Sequence, residues 1–117
     1  MNDLKENVLV VGGAGYIGSH MVLALKDAGY FPITFDNLSR GFSDAVGTAP
    51  LVIGDLRSQE DIDVCFSKHH IDLVMHFAAL AYVGESVSEP EMYYQNNVVG
   101  ALNLLSVMRR HGVDKFV

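Results

Sequence analysis

Val8-Leu9-Val10-Val11-Gly12-Gly13-Ala14-Gly15-Tyr16-Ile17-Gly18-Ser19-His20 is the stretch on which the fold turns. A run of Val and Leu residues ends in a glycine cluster, and a helical pattern follows at once. Gly13-Ala14-Gly15-Tyr16-Ile17-Gly18 matches G-x-G-x-x-G, with Gly12 as an extra glycine. Strand, turn and helix in this order are the context that a dinucleotide fingerprint needs. Gly12 and Gly13 suit a tight turn with positive φ. Gly15, having no Cβ, lets a pyrophosphate approach the backbone and the first N–H groups of the helix. Gly18 lets that helix lie close to the strand. A plain glycine turn is the alternative, and the flanking strand and helix patterns outweigh it.

Working outward, Phe31-Pro32-Ile33-Thr34-Phe35-Asp36-Asn37 reads as a short strand ending in an acid. Asp36 lies 18 residues beyond Gly18, near the ~20 expected of a ribose-binding carboxylate. A carboxylate there accepts from ribose hydroxyls and repels a 2′-phosphate, which favours NAD over NADP. Arg40, in the Ser39-Arg40-Gly41 turn, reads as a solvated cation.

The 117 residues suffice for one compact domain, and half of them are apolar. The net charge is −6 with scattered basic residues, which excludes a nucleic-acid face. Cys65 is the one cysteine, so no internal disulfide forms; it reads as a small buried hydrophobe on a helix. No apolar run is long enough for a signal segment or a membrane span, so the expected location is cytoplasmic. No repeat, linker or low-complexity tract interrupts the chain.

Strand and helix patterns alternate, which predicts an α/β fold with a parallel sheet, a Rossmann-type doubly wound arrangement. The expected elements are a strand at 7–11, a helix from Tyr16 to Ala28 stopped by Gly29, and strands at 32–35 and 50–54. Loop, with a helical turn near 42–46, separates the last two. A helix capped by Ser58 follows, with Asp61 three residues on, then a strand at 73–77. A long helix runs from Pro90 to His111, stopped by Gly112. Expected buried faces are Ile17, Met21, Val22 and Leu25; then Ile62, Val64, Cys65 and Phe66; then Val98, Leu102, Leu105 and Met108, with Val99 and Leu104 beside them. Lys115-Phe116-Val117 begins a fifth strand that is expected to be cut short. Residues 1–117 are thus expected to be an incomplete dinucleotide-binding domain, the N-terminal portion of a longer protein. A cut fifth strand is expected to leave strand four as an exposed edge and to promote self-association.

Other positions carry two readings each. Asp55, in Gly54-Asp55-Leu56-Arg57, either accepts from an adenine amino group or is a turn carboxylate ahead of a helix. Phe77, in Phe77-Ala78-Ala79 at the end of strand four, either lines the cofactor or packs the core. Of Asn96 and Asn97, one suits a buried polar contact and the other solvent. His69 and His70 read as solvated, His76 as a core residue, and His20 and His111 as helix-surface residues. None has metal-ligand spacing, and no Ser-His-Asp arrangement can be built.

Together with His76-Phe77-Ala78-Ala79, Val83-Gly84-Glu85-Ser86-Val87, Pro90 and Tyr93-Tyr94-Gln95-Asn96-Asn97-Val98, the glycine motif, Asp36-Asn37-Leu38-Ser39 and Gly54-Asp55-Leu56-Arg57 resemble the UDP-glucose 4-epimerase family. That family belongs to the extended short-chain dehydrogenases/reductases, and the resemblance covers almost the whole chain. It implies tightly bound NAD, a UDP-sugar substrate in the full-length protein, oxidation at C4, rotation of the 4-keto sugar and return of the hydride to the other face. By position, it implies that Gly12, Gly15, Tyr16, Ile17 and Gly18 serve the pyrophosphate turn. Asp36, Asn37 and Ser39 would hold the adenosine ribose, Asp55 and Leu56 flank adenine, Phe77, Ala78, Ala79 and Ala81 line the dinucleotide, and Asn96 hydrogen-bond it. The matching helix implies a homodimer. Ala81 stands where some members carry a cofactor-touching Lys; that Lys is absent from other relatives too, including ones acting on pentose sugar nucleotides, so the residue leaves the sugar open. The family's catalytic Ser/Thr, its Tyr-x-x-x-Lys pair and its UDP-sugar domain match nothing in 1–117, so no catalytic residue is assigned and the isolated chain is expected to be inactive. The rival expectations are a related dehydratase or reductase and a non-catalytic dinucleotide-binding module.

Overall fold

The computed structural model describes residues 6–12, 16–37, 50–77 and 98–117. Strands β1 (Asn7–Val11), β2 (Phe31–Asp36), β3 (Leu51–Ile53) and β4 (Leu73–His76) form one parallel sheet in the order β3-β2-β1-β4. Helices α1 (Tyr16–Asp27), α2 (Gln59–Lys68) and α3 (Gly100–Arg110) complete the described elements. The chain builds outward from β1 to β3 and then crosses back to β4. The strand order therefore reverses between β1 and β4, the switch point of a doubly wound sheet.

β1 is the central strand, and Val8, Leu9, Val10 and Val11 are all buried. A parallel strand covered on both faces reads as a continuous apolar run. Leu9 and Val11 join the core on the α2 and α3 face; Val8 and Val10 join Val22 on the α1 face. β2 tolerates Pro32 because the Phe31 N–H bonds toward β1, to the Glu6 carbonyl, and the Thr34 N–H toward Pro50. The alternation puts the missing N–H of Pro32 on the β3 side, where pairing begins only at Thr34↔Leu51.

Caps hold the helices where the sequence places them. The Ser58 hydroxyl accepts from the Asp61 N–H at 3.2 Å. Gly29 and Gly112 both have positive φ, and each ends its helix with a Schellman pair. Gly29 N–H bonds to the Lys26 carbonyl and Tyr30 N–H to Leu25; Gly112 N–H bonds to Arg109 and Val113 N–H to Met108.

Four expectations need correction. Ile17 lies on the solvent side of α1, 64% exposed, and Val22 is the fully buried residue there. Val64 is exposed on α2, while Ile62, Cys65 and Phe66 are buried as expected. On α3 the buried stripe is Gly100, Leu104, Val107 and Met108. Val98, Leu102 and Leu105 face outward, because the helix turns its broader stripe, Gly100, Leu104, Val107 and Met108, to the core. Finally, the edge of β4 is covered: Val74 N–H bonds to the Lys115 carbonyl, His76 N–H to Val117, and Val117 N–H to Val74. Residues 115–117 thus pair with β4 in the fifth position, in parallel sense.

Candidate functional site

The carboxyl ends of β1, β2, β3 and β4 lie along one edge of the sheet, and the start of α1 follows the end of β1. At the end of β1, Gly12 has φ 87°, a conformation that L side chains avoid. Its N–H donates to the Phe35 carbonyl at 2.8 Å, which locks the turn to β2. Phe77 N–H donates to the Val11 carbonyl at 2.7 Å, so the β1–β4 ladder runs one residue past His76. The glycine turn therefore leaves the sheet at the switch point. Gly18 is buried on α1, as expected of a close helix–strand contact. No acidic residue stands in the first turn of α1, so no carboxylate of that turn offsets its partial positive charge. α2 differs: Ser58 caps it, and Glu60 and Asp61 fill its first turn.

Asp36 ends β2 half-buried, and its carbonyl accepts the Gly54 N–H at 3.1 Å. Asn37 beside it is exposed. This bond ties the end of β2 to the loop after β3, so Asp36 and Asp55 belong to one edge.

The 54–58 loop is held from every side. Gly54 has no room for a side chain: a Cβ would meet Cε2 and Cζ of Phe35 at 2.7 Å. Asp55 N–H donates to Asp61 Oδ2 at 3.0 Å, and Ser58 N–H to the Asp55 carbonyl at 2.9 Å. Asp61 thus reaches past the cap residue to Asp55, a variant of the capping box. Leu56 packs its side chain into the core on the α2 and α3 face, while its carbonyl accepts from Asn103 Nδ2 at 2.8 Å. Asn103 Oδ1 in turn accepts from Gln59 Nε2. Leu56 therefore fixes the loop rather than presenting an open side chain.

The Asp55 carboxylate is gripped by Arg57. Oδ1 accepts from the Arg57 backbone N–H at 2.8 Å and from Nε at 3.1 Å; Oδ2 accepts from Nη2 at 2.6 Å. Hydrogen bonding to Arg57 holds the Asp55 carboxyl below its ordinary range, with burial opposing. Of the two readings of Asp55, the turn carboxylate is seen directly, and its unused lone pair leaves the adenine reading open. Sequence reading missed Arg57 and Asn103. The Asp-x-Arg spacing was a usable signal for the first; Asn103, 47 residues from Leu56, had none.

At β4, Phe77 is half-buried against the cluster on the α1 face, which supports its packing reading. His76 turns toward Phe116, with ring centroids 6.1 Å apart. Burial lowers its pKa from 6.5, and among the described residues its buried Nε2 has no hydrogen-bond partner. Cys65 is buried, its thiol pushed up to about 11 by desolvation. His70 and His111 are paired with Asp72 and Asp63. Among the described residues no cluster of three or more His, Cys, Asp or Glu could hold a metal, and no helix is long and apolar enough to cross a membrane. The expectations for Gly13, Gly15, Ser39, Arg40, Ala78, Ala79, Ala81, Asn96 and Asn97, for the turn near 42–46 and for the helix start at Pro90 lie outside the described residues, as does the Tyr16 side chain.

This geometry is shared with known proteins. The model of the NAD dependent epimerase/dehydratase family matches residues 8–117. A UDP-glucose 4-epimerase of Rhizobium leguminosarum bv. trifolii is 49% identical over 112 residues, covering 96% of this chain and 34% of that protein. The crystal structure of UDP-glucose 4-epimerase from Brucella ovis in complex with NAD superposes with a TM-score of 0.91 at 46% identity, over 95% of this chain and 34% of that one. The Thermus thermophilus UDP-glucose 4-epimerase complex with NAD gives 0.91 at 40% identity, over 94% and 36%. The chain spans about a third of the length of the relatives it matches.

Proposed function

The chain belongs to the NAD dependent epimerase/dehydratase family, and we propose that it is the NAD-binding, N-terminal part of a sugar-nucleotide 4-epimerase. The single observation that carries the binding reading is the positive-φ turn at Gly12, which leads from the switch point toward a helix start without acids. The residues fit the group. The α1 N-terminus receives the pyrophosphate, with Gly15, Tyr16, exposed Ile17 and Gly18 around it. Asp36, with Asn37 and Ser39, accepts from the adenosine ribose, and Asp55 with Leu56 borders adenine. By the family resemblance, Phe77, Ala78, Ala79 and Ala81 would line the dinucleotide and Asn96 would hydrogen-bond it. When bound, NAD supplies a hydride acceptor and donor for the sugar C4. The chain's own residues bind and orient it; no proton-transfer residue is assigned among them.

The proposed substrate is a UDP-sugar, UDP-glucose or UDP-galactose, and the proposed setting is cytoplasmic galactose metabolism. A homodimer is proposed through the outward apolar stripe of α3. A related dehydratase or reductase is the second reading, favoured by the breadth of the matching family.

Calorimetric titration tests the binding reading. NAD is expected to bind and NADP to bind at least tenfold more weakly, because a carboxylate at Asp36 faces the 2′-phosphate. Equal or tighter binding of NADP would overturn it.

A further inference from the structure

We propose that Arg57 is a positioning residue that sets the nucleobase choice of the site, by clamping Asp55 so that its carboxylate offers a fixed acceptor to the exocyclic amino group of adenine. This rests on the NAD-binding reading above.

The clamp has three donors. The Arg57 backbone N–H and Nε reach Oδ1 at 2.8 and 3.1 Å, and Nη2 reaches Oδ2 at 2.6 Å. Nε also lies 3.2 Å from Oδ2, but its one hydrogen is shared between the two oxygens. Each carboxylate oxygen has about two lone pairs. Among the described residues, Oδ1 is therefore filled, while Oδ2 has one strong partner and keeps an acceptor direction. A bidentate guanidinium fixes the plane of the carboxylate as well as its place. The backbone beneath is equally fixed, through the Asp55 N–H on Asp61, the Ser58 N–H on the Asp55 carbonyl, and Asn103 on the Leu56 carbonyl.

The clamp is not needed for packing. The Arg57 side chain is 52% exposed, and an exposed ion pair adds little to stability. What it supplies is orientation. An ionised carboxylate only accepts. Adenine presents an amino donor at C6, and hypoxanthine presents a carbonyl acceptor at the same place. Hypoxanthine would set two acceptors face to face and leave both unpaired, which is costly once water is excluded. A carboxylate free to swing would lose that discrimination.

The test is calorimetric titration of the 117-residue chain with NAD and with nicotinamide hypoxanthine dinucleotide. The wild type is expected to prefer NAD by about tenfold or more, the scale of one mispaired hydrogen bond. Arg57→Met is expected to bring the two ligands within about threefold of each other, with the circular dichroism spectrum and Tm unchanged, since the residue is exposed. Arg57→Lys, which keeps the charge but not the fork, is expected to recover part of the preference. Asp55→Asn turns a donor toward the base and is expected to reverse the preference toward hypoxanthine. If Arg57→Met keeps the wild-type ratio, or if the wild type does not discriminate, the positioning role is wrong while NAD binding stands. If the wild type binds neither dinucleotide, the NAD-binding reading itself fails, and this role with it.

Discussion

The two faces of the sheet are packed to different depths. Toward α2 and α3, Leu9, Val11, Ile33, Phe35 and Val74 of the strands meet Ile62, Cys65, Phe66, Leu104, Val107 and Met108 of the helices in one buried cluster. Toward α1, the fully buried set is Val8, Val10 and Val22, and Leu73, Met75 and Phe77 are only partly covered. Both sets alternate along the same central strand, so the strand pattern does not make the difference. Two helices close one face, and among the described residues one helix covers the other. The Gly12 turn precedes α1, which packs on the thin face, while the 54–58 loop is anchored in the thick one through Leu56 and Asn103. The proposed site would thus span an anchored half, at the 54–58 loop, and a more thinly packed half, at the Gly12 turn. Local opening is expected to follow the thinner packing.

Cavity-forming substitutions would break or sharpen this contrast most. Leu104 is fully buried in the thick face, and Leu104→Ala is expected to cost about 2–5 kcal/mol. Val22 is equally buried on the thin face, yet Val22→Ala removes two methyl groups and is expected to cost about 1–2 kcal/mol. Urea unfolding of both variants measures the difference. Losses equal per carbon removed, three from Leu104 and two from Val22, would mean that the two faces are energetically alike.

The anchored loop gives the next largest effect. At Gly54 a Cβ would sit 2.7 Å from the Phe35 ring and 3.2 Å from Asp61 Cβ. Phe35 is buried in the thick face and has little room to yield. Gly54→Ala is expected to cost about 1–3 kcal/mol by overpacking and to weaken NAD through displacement of Asp55. Unchanged stability together with unchanged affinity would show that the ring gives way freely.

A smaller effect is expected from pH. Burial lowers the His76 pKa from 6.5, so the folded chain prefers the neutral ring. The unfolded chain then binds more protons below the ordinary value. Stability is fully present above about pH 6.5 and falls as pH drops toward the lower folded value. Between about pH 7.5 and about pH 5.5, the wild type is expected to lose more stability than His76→Leu. Parallel losses in the two proteins would place the acid sensitivity elsewhere.

The contrast also explains what was legible in the sequence. β1, the Gly12 turn, the Ser58 cap and both glycine stops could be read from local pattern, because their causes are local: backbone conformation, capping and continuous apolarity. The position of Asp36 could be read from spacing. Which face of an amphipathic helix meets the sheet could not, where two stripes compete. In α3, Val98, Leu102 and Leu105 offer as good a stripe as Leu104, Val107 and Met108, and tertiary packing chose the second. Ile17 was misread for the same reason. Arg57 and Asn103 act through side-chain bonds across a loop or between distant elements, and periodicity carries no trace of such bonds.

The outward stripe of α3 gives the smallest expected change in folding and the sharpest separation of the helix's two faces. Leu102 is 59% exposed, and Leu105 stands three residues on, with Val98 one turn before Leu102. Among the described residues their side chains join no buried cluster, so Leu102→Lys is expected to shift unfolding by no more than about 0.5 kcal/mol. That is far below the cost of Leu104→Ala on the opposite face. If the stripe carries the proposed homodimer, the charge would be placed in an apolar contact and left unpaired, which burial penalises heavily. Light scattering is then expected to show the wild type as a dimer at micromolar concentration and Leu102→Lys as a monomer. A dimer that survives the substitution would move the contact off this face. A large loss of stability in the monomer would show that the stripe is already packed within the chain, and that α3 does not divide into a folding face and an associating face.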